Sequence, residues 1–126
     1  MNDHETQMLN FLLKHRRDRA RYLLQKKRDK FTRLLDHPRI FEPRYLHRVE
    51  PRLRTPEAIA AQLRLKSKNM AGYLISSNPD LDQKTIPIQK ALERVIGWGS
   101  GTFLSVAPGK LGYLETEDTG ERFLVF

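Results

Sequence analysis

Residues 102–126 read T-F-L-S-V-A-P-G-K-L-G-Y-L-E-T-E-D-T-G-E-R-F-L-V-F, and this stretch decides the fold class. Thr102–Val106 reads as a strand. Pro108-Gly109 presets a type II turn, because proline holds φ at about −65° and glycine accepts the positive φ that follows. Leu111–Thr116 is a second strand, Glu117-Asp118-Thr119-Gly120 a second turn, and Arg122–Phe126 a third strand. Loops this short force antiparallel pairing.

Working back from the tail, Gly97-Trp98-Gly99-Ser100-Gly101 follows a helix and precedes a strand. Phosphate-cradling loops lie before a helix instead, and this one lacks their lysine and Ser/Thr. It reads as a turn, with Trp98 over an edge of the core. Ile86–Ile96 is amphipathic, with Ile88, Ala91, Leu92, Val95 and Ile96 inward, and Gly97 ends the helix. Ser77-Asn78-Pro79-Asp80 is a turn, and Asn69–Ser76 is a short apolar run without helical period, read as a buried strand. Thr55-Pro56-Glu57 supplies a cap, a first-turn proline and a first-turn acid. The helix it opens extends to about Lys66, with Ile59 and Leu63 inward. The fold class is α+β: a β-α-β-β-β C-terminal half forming a small, mainly antiparallel four-stranded sheet, with helices on one face.

Residues 55–74, T-P-E-A-I-A-A-Q-L-R-L-K-S-K-N-M-A-G-Y-L, also resemble bacterial DNA-binding helix-turn-helix segments. That resemblance implies that Lys66, Ser67, Lys68 and Asn69 open a recognition helix that reaches base edges. The two readings differ at residues 69–74, as strand or helix.

The N-terminal segment carries an eleven-residue repeat: L-N-F-L-L-K-H-R-R-D-R from Leu9, A-R-Y-L-L-Q-K-K-R-D-K from Ala20, and F-T-R-L-L-D-H-P-R from Phe31. Eleven residues make three helical turns, so the leucine pairs stack on one stripe. The spacing predicts a basic helix over about Glu5 to His37, capped by Asn2 or Asp3, or a helical hairpin broken near Arg28-Asp29-Lys30. A continuous helix would be roughly 50 Å long, and a small sheet covers less than half of it. Leu13, Leu24 and Leu35 are therefore candidate contacts for a partner, with a twofold homodimer as the simplest solution. Residues 39–54, with Glu42-Pro43-Arg44 and Glu50-Pro51-Arg52, read as a connector holding a short helix at Tyr45, Leu46 and Val49. The organisation is a single domain over 1–126: basic helical segment 1–38, connector 39–54, and mixed region 55–126.

Charge is unevenly placed. Residues 1–70 hold 18 Lys+Arg against 8 Asp+Glu, a net of +10, whereas residues 71–126 hold 5 against 7, a net of −2. A cationic half suits a polyanion. The candidate phosphate contacts are Lys14, Arg17, Arg21, Lys27 and Arg28 on the N-terminal helix, with Arg64, Lys66 and Lys68 beyond it. The absence of cysteine excludes disulfides, thiolate metal sites and cysteine nucleophiles. The first ten residues do not form a signal peptide, and no apolar run is long enough to span a membrane. A soluble, cytoplasmic protein is expected, with no cofactor and no metal. The acids Asp80, Asp82, Glu115, Glu117, Asp118 and Glu121 fall at turns and strand ends, where acids are common on structural grounds. His4, His15, His37 and His47 lack ligand spacing. Three functions follow: a non-enzymatic DNA- or RNA-binding protein; a protein-interaction or dimerisation module using the leucine stripe; and, third, a small basic ribonuclease.

Overall fold

Strands whose residues are apolar on both sides must be covered on both sides, and that rule organises this chain. The computed structural model describes residues 1–118 and 120–126, so Thr119 in the second tail turn lies outside the described residues. Its centre is a six-stranded antiparallel sheet in the order β1-β6-β5-β4-β2-β3. The strands are β1 Leu46–Arg48, β2 Ala71–Ser76, β3 Thr85–Pro87, β4 Thr102–Ala107, β5 Leu111–Glu115 and β6 Arg122–Val125. The tail forms the meander read from its sequence. Lys110 N–H donates to Ala107 O at 2.9 Å, and Gly109 takes φ +69°, as a type II turn requires.

Successive residues of β2, β4, β5 and β6 point alternately into two cores. Tyr73, Ile75, Phe103, Leu114, Phe123 and Val125 face one way, onto Met8, Leu12, Leu24, Phe31 and Leu35. Leu74, Leu104, Tyr113 and Leu124 face the other, onto Ile59, Leu63, Leu92 and Val95. The helices that supply these partners are α1 Asp3–Met8, α2 Arg17–Lys26 and α3 Arg28–Leu34 on the first face. On the second they are α4 Pro56–Arg64 and α5 Ile88–Val95. The sheet thus has six strands and two helical layers, where the sequence reading expected four strands covered on one face.

The single long helix is corrected. Asn2 caps α1 by accepting from Glu5 N–H at 3.0 Å, but the helix ends within two turns. Leu12 and Leu13 are extended, at ψ 158° and 135°. They pair with the returning chain: Leu13 N–H donates to Ile40 O at 2.9 Å, and Glu42 N–H to Phe11 O at 2.8 Å. A second break falls at Lys27, φ −145° and ψ 63°, one residue before the predicted hairpin corner. The repeat marks helix starts. Arg17-Asp18 opens α2 and Arg28-Asp29 opens α3, each with its acid in the first turn, where it complements the helix dipole. Folding back in pieces lets a short sheet cover the leucines that a straight helix would leave in water.

The connector also differs. In each E-P-R the proline begins a 3₁₀ turn, at Pro43–Tyr45 and Pro51–Leu53, and the preceding glutamate is extended. Too little chain remains between them for a helix. Leu46–Arg48 instead pairs with Phe123–Val125 as an edge strand. Ala71–Ser76 is a strand and residues 67–70 are loop, so the helix-turn-helix resemblance does not hold. Burial in two opposite cores at Tyr73, Leu74 and Ile75 suits only a period of two.

The glycine-rich loop closes on α3. Gly101 N–H donates to Asp36 Oδ1 at 2.6 Å. A Cβ at Gly101 would lie 2.2 Å from the Leu35 carbonyl carbon and 2.4 Å from Asp36 N. Because the obstacle is backbone, Gly101→Ala should destabilise by about 3 kcal/mol, measured as a lower urea midpoint at unchanged slope. Trp98, expected over the core, is 46% exposed.

Candidate functional site

The basic residues of segments 14–39 and 64–68 fall into three groups once their partners are counted. Some are structural. The Arg17 side chain donates to the Leu12 and Asn10 carbonyls, both at 3.2 Å, and so holds the first break in place. Arg28 points inward. It donates Nε and Nη2 to the two oxygens of Asp82, at 2.6 and 3.0 Å, and pairs through Nη1 with Glu5 at 3.0 Å. Arg28 is thus committed to two carboxylates inside the fold, and two of the Arg17 donors are committed to backbone carbonyls.

A second group lies on the far layer. Arg64 ends α4, Lys66 caps the Phe126 ring at 3.8 Å, and Lys68 is exposed in the following loop. Because α4 packs on the opposite side of the sheet from α2 and α3, these three residues do not join the N-terminal set in one surface.

The third group is the exposed remainder of the N-terminal layer. Lys14, Arg16, Arg19, Lys26, Lys27, Lys30 and Arg39 are exposed. Among the described residues none of them belongs to an ion pair. Arg19 lies 5.4 Å from the centre of the exposed Tyr22 ring. Arg21 pairs only with exposed Asp18 (3.1 Å), and Arg33 with exposed Asp29 (3.2 Å). Pairs that exposed are worth well under about 1 kcal/mol and exchange readily for another anion.

Within this layer Arg16, Arg33, His37 and Arg39 surround a pocket of about 220 Å³ whose apolar lining is Leu34 and Ile40. The four side chains come from three elements: Arg16 from the 3₁₀ turn before α2, Arg33 from α3, and His37 and Arg39 from the proline-started turn after it. Sequence reasoning missed this cluster, because Arg16 and Arg39 are 23 positions apart. The repeat held the one available signal: Arg39 occupies the position of Arg17 and Arg28 in its third copy.

The leucines are accounted for inside the chain. Leu24 and Leu35 are buried in the N-terminal core and Leu13 is half-buried. Among the described residues no long helix projects from the fold to offer these leucines to a partner.

Among the described residues each core also holds a buried carboxylate network. On the N-terminal side Tyr73 donates to Glu5, which Arg28 also holds, and His4 stacks on Tyr73 and bonds to Ser105 at 2.7 Å. On the other side Tyr113 donates to Glu115 at 2.5 Å, Arg122 pairs with the same carboxylate at 3.0 Å, and Gly97 N–H donates to it at 3.1 Å. Burial would lower the Arg28 pKa, but the Asp82 hydrogen bonds and the Glu5 charge outweigh it and the pKa rises. Burial and the Glu5 hydrogen bond push the Tyr73 hydroxyl up to about 12, and burial with the Glu115 charge pushes Tyr113 up further. An unfolded tyrosine ionises near 10, so both hydroxyls contribute stability below that pH and lose it as pH rises through their folded values. A spectrophotometric titration should show these two phenols ionising last, together with unfolding. Burial lowers the His4 pKa.

The N-terminal network lines an open cleft of about 610 Å³ with Asn2, Lys26 and Gln83. Its carboxylate and guanidinium already satisfy one another. His4, His37 and His47 each bond to a different element: Ser105, Glu117 and the Phe126 carbonyl. Among the described residues no cluster of His, Asp or Glu is placed to hold a metal ion, and no helix is long and apolar enough to cross a membrane. No protein-family model, curated protein or solved structure matches the chain.

Proposed function

We propose that this is a non-enzymatic nucleic-acid-binding protein of the cytoplasm, which holds phosphates on the exposed cations of its N-terminal layer. The observation that carries this reading is the surplus left after ion pairing. Lys14, Arg16, Arg19, Lys26, Lys27, Lys30 and Arg39 stand exposed and outside any ion pair among the described residues. Such a surface attracts a polyanion and releases its counterions. The phosphate contacts are thus reassigned from Arg17 and Arg28 to their exposed neighbours, with Lys14, Arg21 and Lys27 kept from the sequence reading.

The test is fluorescence anisotropy with duplex and single-stranded DNA and RNA over a salt series. Log K should fall with log salt by about 0.9 for each duplex phosphate neutralised. The variant Lys14→Glu/Arg19→Glu/Lys27→Glu/Lys30→Glu should lose binding to all sequences alike. Arg64→Glu/Lys68→Glu, on the opposite layer, should change it little. Equal losses from the two variants would remove the assignment to the N-terminal layer, and no binding at low salt would remove the function.

A further inference from the structure

We infer that the Arg16–Arg33–His37–Arg39 pocket seats a terminal phosphomonoester of a nucleotide, either free or at the end of a nucleic-acid chain; the chain-end form rests on the function proposed above.

The first support is shape. A pocket of about 220 Å³ accepts a phosphate with its sugar, whereas an uninterrupted backbone needs an open groove to run through. The second is chemistry. Three guanidiniums approach from three separate turns, and guanidinium forks match phosphate oxygens in bidentate pairs. A monoester carries about −1.5 to −2 at neutral pH, more than the single charge of a diester, so the same cations favour a chain end over the backbone. The third is the occupancy of those cations. Arg16 and Arg39 are exposed and belong to no ion pair among the described residues. Among the described residues Arg33 and His37 have only the exposed Asp29 and Glu117 as ion-pair partners, at 3.2 and 3.1 Å. Asp36, the nearest acid in sequence, is turned away to the Gly101 amide. Ile40 is buried and Leu34 half-buried, and they give a sugar or base an apolar surface to rest on.

The test compares one internally labelled single strand with a 5′-phosphate, a 3′-phosphate or hydroxyls at both ends, beside adenosine monophosphate followed by NMR at the His37 ring. One phosphorylated end should bind at least about tenfold tighter than the hydroxyl strand, from one or two added charge-assisted hydrogen bonds. Arg16→Ala/Arg39→Ala should erase that difference. Both side chains are exposed, so the variant should keep the wild-type circular dichroism. If the free nucleotide shifts His37 and no strand binds, the pocket stands as a mononucleotide site and the proposed function falls. If all strands bind equally and the nucleotide leaves His37 unmoved, the proposed function stands and the pocket inference is overturned. If the double variant keeps the tenfold preference, the phosphate is held elsewhere and the inference is likewise overturned.

Discussion

Replacing Arg28 with methionine should destabilise the protein by about 3–5 kcal/mol, the usual cost of removing one partner from a buried ion pair. Its side chain is 20% exposed and meets carboxylates that are 5% exposed at Glu5 and 16% at Asp82. Without the guanidinium, Glu5 remains in the core with only the Tyr73 hydroxyl among these partners, and Asp82 keeps the Ser76 amide at 2.9 Å. Lysine is a poor substitute, since a single ammonium cannot reproduce a fork to Asp82 and a third bond to Glu5. Arg33→Met is the control: its partner Asp29 is 75% exposed, and the change should stay within about 0.5 kcal/mol. Urea midpoints read both. An Arg28→Met protein as stable as wild type, but weakened in nucleic-acid binding, would return Arg28 to the surface and undo the network.

Leu24→Asp should leave the chain largely unfolded. Leu24 is 4% exposed and packs in the cluster with Leu23, Phe31 and Leu35. Losing a buried leucine costs about 2–5 kcal/mol and desolvating the new carboxylate adds several more. That sum is comparable with the whole stability of a domain, about 5–15 kcal/mol. The half-buried Leu13 tolerates Leu13→Asp better. Circular dichroism and light scattering on both variants separate a core leucine from an interface leucine. A Leu24→Asp chain that keeps its sheet and halves its mass would place Leu24 between protomers.

The tail was readable because its short runs rich in apolar and aromatic residues are separated by clear turn signals, Pro-Gly at one corner and Asp and Gly at the other. The N-terminal segment was harder. Its eleven-residue spacing reports which residues face the core, and Leu12, Leu23, Leu24 and Leu35 do. It is silent on whether the backbone between them stays helical. Neither Leu12-Leu13 nor Lys27 is a proline or glycine that would announce a break; the first break comes from pairing with Ile40–Glu42 on the returning chain. The edge strand β1 escaped for the same reason, since Leu46 finds its partner at Val125. Arg28 was misjudged as a surface cation because its acids lie 23 and 54 positions away. Only the folded chain brings them together, as it does Arg16 and Arg39.

The outermost strands have a consequence for behaviour in concentrated solution. An unpaired sheet border is a template on which another chain adds its own backbone, the usual first step toward fibrils. Here both borders are three residues long. Proline turns bracket one at Pro43 and Pro51, and the other ends at Pro87, which has no amide hydrogen to offer. Short, proline-flanked borders therefore disfavour recruitment of a further strand at both rims.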